Sequence, residues 1–470
     1  MRVLTAIGLC AGAAAALAGT ADDAIQTAAR LRDALLGGRG AAEIARDLSD
    51  RVGPRPSGSE GTRTARRWAV AELARLGLRN VREEPLMEPH WVRGAAAAEI
   101  VAPVRQRLEI AALGGSGGTP PEGVEGEVLA AENVAALEAL AAKDPSIARG
   151  RVVFFTERME RTRDGSGYSR AVGIRWGGAE AARKLGAAAV LIRSVGTSST
   201  RLPHTGIMSV SAGVLPLPAA ALSAPDADLL ERIVARDRAR VHLVLGCRRE
   251  PDAAGANVVG EIPGSSAPGE IVLLGAHLDS WDLGTGALDD AAGVGIVCEA
   301  ARAIAALPRR PRRTIRVVLF ADEESGGSGA VAYAAAHRAE LDRHVAAVEM
   351  DFGTDRVYRV AAAGGPEAAG VLRAAAELLA PLGIAAGTAD ANGGSDVGGL
   401  RAFGVPLFDL DQDGSRYFDF HHSADDTADK LDGANLAQAT AATAALAWLV
   451  ADEPRTAGRI PEEKRKVERW

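Results

Sequence analysis

The chain has 470 residues, of which 47% are apolar and 24% are charged. This length predicts two or three folding units, and the composition excludes a wholly disordered chain and a membrane protein with many spans. Asp and Glu outnumber Lys and Arg by 61 to 54, which gives a net charge of −7. No cationic excess is therefore available to neutralise a phosphate backbone, and we expect no nucleic-acid partner. The three cysteines are too few for a disulfide framework.

Residues 1–18 have the features of an export signal. One arginine precedes an apolar run that ends in Ala16-Leu17-Ala18, the small-residue pattern of a signal-peptide cleavage site. The run is too short to be trusted as a membrane span. We therefore expect a secreted or periplasmic protein whose mature form has no membrane span.

The next segments divide into a main domain and an insert. Residues 22–50 and 59–77 show helical spacing of apolar residues, and the Gly- and Pro-rich segment 53–58 separates them. Short strand-like runs between turns then replace the helical pattern. This change predicts a β-rich insert over residues 96–250, a main domain made of 22–95 and 251–452, and a charged tail over 453–470.

After residue 257, strand-like runs alternate with helical stretches. The strands are expected at 271–275, 315–320, 346–350 and 405–410, and the helices near 291–306, 328–340 and 367–380. This alternation predicts an α/β fold with a mostly parallel central sheet flanked by helices.

Polar residues follow each of these strands. In open α/β sheets, ligands bind beyond the carboxyl ends of the strands, so these side chains are expected to meet at one edge. They are His277 and Asp279 after the first strand, Asp289 before its helix, Glu323 and Glu324 after the second strand, Asp351 after the third, and His421 and His422 after the fourth.

The residue types at this edge indicate a metal site. Imidazoles and carboxylates without thiolates suit zinc first, with manganese or cobalt behind it. The carboxylates of Asp289, Glu324 and Asp351 carry three negative charges, which suits two dications that share a bridging ligand. Glu323 stands beside a predicted ligand and is free to take a proton, so we predict that it is the general base.

The motifs around these residues resemble those of the zinc aminopeptidase and glutamate carboxypeptidase family. They are GAHLDSWD at 275–282, GALDD at 286–290, DEESGG at 322–327, EMD at 349–351 and HHS at 421–423. The likeness runs from about residue 25 to 452, and the insert is similar to a protease-associated domain.

The resemblance implies a zinc exopeptidase fold with two Zn²⁺ ions per chain, and it suggests a homodimer. One zinc would take His277, Asp289 and Asp351, and the other Asp289, Glu324 and His422, with Asp289 bridging. Glu323 falls on the family's acid/base position, and Asp279 on the carboxylate that holds the other nitrogen of His277. A cis peptide bond is expected between Asp289 and Asp290.

Three further residues have weaker assignments. Relatives often place a tyrosine near the metals, and the matching stretches here contain none. His421 is therefore the candidate hydrogen-bond donor to the oxyanion, and Asp426 is a candidate to orient His422. His204 could reach the cleft from the insert, although an ordinary loop role is favoured.

These observations predict a secreted dizinc exopeptidase that hydrolyses dipeptides or short peptides as a carboxypeptidase or dipeptidase. The alternative enzyme is an aminopeptidase of broad specificity. A non-catalytic, receptor-like relative with the same fold is the alternative from another class, but such relatives lose metal ligands that are all present here.

Overall fold

The computed structural model describes residues 22–466. The predicted signal peptide, with Cys10, lies outside the described residues. The description begins with three helices: α1 over residues 22–35, α2 (Gly40–Arg51) and α3 (Glu60–Arg75). The sequence predicted one helix over residues 22–50, but Gly37 adopts a φ of 85° and ends α1, as glycine commonly does at a helix C-terminus.

A long strand, β1 (Arg79–Val92), leads from α3 to a separate sheet. The strands of this sheet are β2 (Ala96–Ala102), β3 (Gln106–Leu108), β4 (Ile110–Ala112), β5 (Val124–Ala131), β6 (Val152–Phe155), β7 (Ala189–Arg193), β8 (Ala219–Leu222) and β9 (Arg240–Leu245). The helices among them are α4 (Val134–Lys143), α5 (Ser166–Ala171), α6 (Gly173–Trp176), α7 (Gly178–Lys184) and α8 (Ala224–Val234). We call residues 96–245 the second-sheet region.

The second-sheet region is a mixed α/β unit with its own apolar cores. Its strand order is β3-β2-β9-β5-β6-β7-β8-β4, and β5 to β8 run parallel. Buried residues pack on both faces, with Phe154 on one and Phe155 on the other. Helices accompany the parallel strands, so the unit contains more helix than the predicted β-rich insert.

The chain then returns to the first sheet. The remaining strands are β10 (Arg248–Ile262), β11 (Ala267–His277), β12 (Arg313–Phe320), β13 (His344–Glu349), β14 (Val357–Ala363), β15 (Ala385–Ala386) and β16 (Leu407–Gln412). The helices are α9 (Ala292–Ala305), α10 (Ser328–Ala336), α11 (Ala368–Leu379), α12 (Gly394–Val397) and α13 (Gly433–Asp452). The four predicted strands and three predicted helices after residue 257 are confirmed.

The first sheet has the order β1-β10-β12-β11-β13-β16-β14-β15. Its centre, from β12 through β11 and β13 to β16, is parallel, whereas β10 and β14 join it antiparallel. Every residue of β12 is buried, because helices cover both faces of the sheet. The predicted α/β fold is confirmed, and its parallel part is the central one.

Helices α2, α9 and α13 pack on one face of this sheet, and α10 on the other. Helix α13 is long and apolar enough to cross a membrane, yet 89% of its apolar window is buried inside the fold. Trp448 is fully buried there. Within the described residues, α13 is thus a core helix of the main unit.

Candidate active site

The parallel strands β11, β12, β13 and β16 deliver the candidate site residues to one edge of the first sheet. His277 is the last residue of β11 and pairs with Phe320, the last residue of β12. Glu323 and Glu324 follow β12, and Asp351 follows β13. The Asp289–Asp290 peptide bond, which precedes α9, is cis as expected.

The carboxylate of Asp289 lies between two imidazoles. Its Oδ1 is 3.1 Å from Nε2 of His277, and its Oδ2 is 3.2 Å from Nε2 of His422. His277 Nε2 is also 3.5 Å from Asp351 Oδ1, and His422 Nε2 is 2.9 Å from Glu324 Oε2. The structure therefore brings the five predicted ligands together, with Asp289 in the central position.

These residues fit divalent metal ions. Ligand atoms of His277, Asp289 and Glu324 all lie within 4.8 Å of one another, and so do those of Asp289, His421 and His422. Glu324 Oε1 and Asp351 Oδ1 are buried and receive no hydrogen bond from the described residues. Buried carboxylates that lie beside imidazole nitrogens and keep oxygens without a hydrogen-bond donor are a suitable N/O donor set for zinc.

Asp290 is a further acid close to His277. Its Oδ2 accepts a hydrogen bond from the His277 amide at 3.1 Å, and its Oδ1 accepts one from the Gly293 amide at 2.9 Å. Both oxygens already have backbone donors, so Asp290 holds the chain in place and is a poorer metal ligand than Asp289.

The electrostatics of the site show an excess of buried acid. Burial, together with neighbouring carboxylates, raises the pKa of Glu324 and Asp351 and raises that of Glu323 well above its usual range. Burial acts to lower the pKa of His277, but the charge of Asp351 and the surrounding acids raises it well above its usual range. The site thus favours bound protons or other cations.

Asp279 contacts both the predicted base and a predicted ligand. Its carboxylate accepts hydrogen bonds from the amides of Glu323 and Glu324 at 3.1 and 3.2 Å. His277 Nδ1 is 3.1 Å from the backbone carbonyl oxygen of Asp279, and 3.6 Å from its carboxylate. The carbonyl is thus the nearer partner of the imidazole, and the carboxylate positions the Glu323–Glu324 turn.

Asp426 does not orient His422, contrary to the prediction. Its Oδ1 accepts a hydrogen bond from the Leu288 amide at 2.6 Å, so it supports the segment that carries Asp289. His422 Nδ1 instead lies 3.3 Å from the carbonyl oxygen of Thr205. Sequence proximity could not reveal this partner, because it comes from the second-sheet region.

His421 stacks on His422 with ring centroids 3.5 Å apart. Its Nε2 is 3.7 Å from Asp289 Oδ2, and burial, together with the charge of His422, lowers its pKa well below the usual range. Tyr417 and Tyr168 pack against its ring at 5.0 and 5.2 Å. The structure thus places tyrosines near the site, although the matching motifs lacked one.

Arg55 is a site residue that sequence reasoning missed. It is fully buried, and its Nε, Nη1 and Nη2 donate to the carbonyls of Leu278, Thr285 and Gly286 at 2.6, 2.7 and 2.8 Å. One side chain thereby joins the segment after His277 to the segment before Asp289. An arginine in a Pro-rich linker gave no signal that distinguishes this role from ordinary solvent exposure.

Known proteins are similar to this chain in sequence and in fold. The profile of Peptidase family M28 matches residues 257–447. Carboxypeptidase Q of Mus musculus is 37% identical over 407 residues, which cover 86% of this chain and 84% of the mouse protein. The solved structure of a peptidase M28 precursor from Shewanella amazonensis SB2B is 41% identical with a TM-score of 0.91, and the match covers 94% of this chain and 99% of that one.

A more distant structure shares the fold alone. An aminopeptidase from Aneurinibacillus sp. strain AM-1 is 20% identical with a TM-score of 0.61, and the match covers 91% of this chain and 98% of that one.

A parallel-sheet edge that gathers imidazoles and carboxylates around one shared Asp defines a metal-dependent hydrolase. Because its relatives match across most of both chains, the protein belongs to peptidase family M28. It is a metallopeptidase, and the family resemblance carried by the motifs is confirmed.

Replacement of Arg55 tests its role as a clamp. Arg55→Met leaves the carbonyls of Leu278 and Thr285 without their donor, whereas the Gly286 carbonyl keeps the Ala291 amide at 3.1 Å. Each buried unsatisfied group costs about 1 to 3 kcal/mol. We expect the free energy of unfolding to fall by about 3 kcal/mol or more, measured by denaturant titration. Arg63→Met, at an exposed position on α3, is the control and should change it by less than about 0.5 kcal/mol. Equal effects would contradict the clamp.

The buried acids predict a pH dependence for the protein stripped of divalent cations. Burial raises the pKa of Glu349 from 4.5 to about 8, and those of Asp322 and Asp426 from 3.8 to about 7. Between the ordinary pKa values near 4 and the raised values of about 7 to 8, the folded chain binds more protons than the unfolded chain. This extra proton binding stabilises the folded state. The stabilisation is complete below about pH 4 and is lost as the pH rises to 8.

Neutral His204 and His344, with pKa values lowered from 6.5 to about 4 by burial, oppose this trend mainly below about pH 7, where the unfolded imidazoles still bind protons. We therefore expect the free energy of unfolding to fall by about 1 to 2 kcal/mol between pH 6.5 and 8. Glu349→Gln should flatten this slope. A free energy that stays constant or rises over this interval would show that these acids are ionised in the folded chain.

Proposed function

We propose that this protein is a secreted exopeptidase that uses two zinc ions to hydrolyse dipeptides or short peptides. The observation that carries the proposal is the position of Asp289, whose two oxygens face two different imidazoles. A carboxylate shared in this way is what a two-metal hydrolase requires. His277 and Asp351 would complete one zinc site, and Glu324 and His422 the other.

Bound zinc would polarise the scissile carbonyl and make water a better nucleophile at neutral pH. The protein's own contribution begins with Glu323, which is only partly buried and is held through its amide by Asp279. Its raised pKa suits a group that takes a proton from the attacking water and passes it to the leaving amine. We propose Glu323 as this general base and acid.

His421 is the proposed donor to the oxyanion. Its lowered pKa keeps the ring neutral, so one ring nitrogen carries a hydrogen and can donate it. It lies beside Asp289 and stacks on His422, within the proposed site. The aromatic packing of Tyr168 and Tyr417 holds the ring in this orientation.

Two features support short substrates with a free carboxyl end. The second-sheet region packs on the loop after β16, with Thr197 N donating to Phe418 O at 2.9 Å and Thr205 N donating to His422 O at 2.8 Å. A protease-associated-like insert placed over the site would limit substrate length. Similarity to carboxypeptidase Q over most of both chains favours carboxypeptidase or dipeptidase activity.

The localisation and assembly of the protein are part of the same proposal. The N-terminal sequence has the composition of a signal peptide, so we propose export to the periplasm or the medium. A homodimer is the assembly that the family resemblance suggests.

Glu323→Gln tests the assignment of the base. We expect kcat to fall by about 10² to 10⁴-fold, the usual contribution of a positioned acid/base. The variant should keep two zinc ions per chain, measured by metal analysis, because Glu323 is not a proposed ligand. Glu138→Gln, exposed on α4, is the matched control and should retain full activity. Near-normal turnover of Glu323→Gln would exclude it as the base.

C-terminal amidation distinguishes the candidate functions. The zinc-loaded protein should cleave free dipeptides, and amidation of their carboxyl end should lower kcat/KM by about 30-fold or more, since a buried charge contact is worth about 2 to 5 kcal/mol. An aminopeptidase would cleave both forms at similar rates. A non-catalytic relative would cleave neither and would bind no zinc.

A further inference from the structure

We infer that the turn at His204 and Thr205 positions the metal ligand His422, so that the second-sheet region is a working part of the metal site. This inference rests on the proposed two-zinc function. The two residues come from a different unit of the fold and contact both histidines of the 421–422 pair.

The first observation is a reciprocal contact between Thr205 and His422. The Thr205 amide donates to the His422 carbonyl at 2.8 Å, and His422 Nδ1 lies 3.3 Å from the Thr205 carbonyl. A carbonyl only accepts hydrogen bonds, so the tautomer that suits this contact carries its proton on Nδ1. In that tautomer Nε2, the nitrogen that faces Asp289 and Glu324, is the one that can offer its lone pair to a metal ion.

The second observation is the backbone of His422, which has a φ of 60°. Residues with a side chain rarely adopt this left-handed conformation unless surrounding contacts hold them there. The chain on both sides of the His421–His422 peptide is held from the second-sheet region. His204 Nδ1 donates to the His421 carbonyl at 2.7 Å, and the Thr205 amide binds the next carbonyl.

The third observation is that the turn is itself firmly anchored. The His204 amide donates to Ser194 Oγ at 2.8 Å, at the end of β7. Thr205 Oγ1 donates to the Ala112 carbonyl at 2.8 Å and accepts from Arg93 at 2.9 Å. Arg93 in turn pairs with Asp282, in the segment after β11, at 2.6 Å. The turn is therefore fixed to both units of the fold.

Two glycines next to the turn leave space that neighbouring side chains occupy. A Cβ on Gly196 would lie 2.6 to 2.8 Å from ring atoms of His204, and a Cβ on Gly206 would lie 2.2 Å from Nη1 of Arg175. Arg175 Nη1 is 3.4 Å from the Thr205 carbonyl and 3.4 Å from His422 Nδ1. The glycines thus leave room for the imidazole and guanidinium groups that flank the contact.

His204 is the residue through which the inference can be tested, because its contact with His421 uses a side chain. His204→Leu removes the hydrogen-bond donor and fills the buried position with an apolar side chain of similar size. His204→Asn keeps a neutral N–H donor and should rescue the contact. His242→Leu is the matched control, since His242 lies on β9 of the same region and bonds the Glu122 carbonyl instead.

The measurement is stepwise Zn²⁺ affinity of the full chain by chelator competition. In His204→Leu, one of the two affinities should fall by about 10- to 100-fold, the usual cost of losing support behind a ligand, and the other should stay within about threefold. His204→Asn should recover most of the loss, and His242→Leu should show none. The Asp351→Asn background weakens Zn²⁺ binding at the proposed His277 site. In that background, His204→Leu should lower the affinity for the Zn²⁺ ion that remains at the His422 site.

Thr205→Val provides a second route if His204→Leu does not fold. It removes the hydroxyl that anchors the turn, and one zinc affinity should fall by about 2- to 10-fold. Unchanged zinc affinities in a folded variant, or equal losses at both sites, would overturn the inference. A variant that binds zinc normally and only melts at a lower temperature without metal would also overturn it. A wild-type chain that binds fewer than two zinc ions would instead refute the proposed function, on which this inference rests.

Discussion

The central constraint in this structure is the burial of several carboxylates around one shared residue, Asp289. Carboxylates that lie this close in a poorly solvated site cannot all ionise unless cations accompany them. The two imidazoles that face Asp289 supply part of that compensation, and the unpartnered oxygens of Glu324 and Asp351 show where more is needed. Metal ions resolve the same imbalance that otherwise raises the pKa values of these acids.

The surrounding fold supplies rigidity for this concentration of charge. The parallel strands β11, β12 and β13 end at one edge and bring their following residues together. Arg55 and Asp279 then hold the connecting segments through backbone groups. Fixed hydrogen bonds to the backbone keep the acids near one another, although their mutual repulsion favours separation.

The second-sheet region changes how the site is understood. Its sequence contains none of the metal-ligand motifs, which favoured an inserted domain and an ordinary loop role for His204. The structure shows that its His204–Thr205 turn contacts the carbonyls and the imidazole of the 421–422 pair. A covering unit that also supports a ligand would couple the shape of the cleft to the state of the metal site.

Much of the site could be predicted from the sequence. His277, Asp289, Glu324, Asp351 and the His421–His422 pair were candidates because chemically suited residues lie near the ends of consecutive predicted strands, and strand ends converge in any parallel sheet. The family resemblance then indicated His422 as the ligand of that pair. The α/β fold followed from alternating apolar runs for the same reason. These inferences use local patterns and a general rule of sheet geometry, so they need no knowledge of long-range packing.

Other features depended on contacts between distant segments. Arg55 lies 223 residues before the carbonyl of Leu278 that it binds, and Thr205 lies 217 residues before His422. Asp426 is close to His422 in sequence, but it faces the Leu288 amide. The sequence by itself determined which side chains have the chemistry to bind metal. Only the tertiary structure decided which backbone groups hold them, because a carbonyl or an amide looks the same at every position until folding gives it a partner.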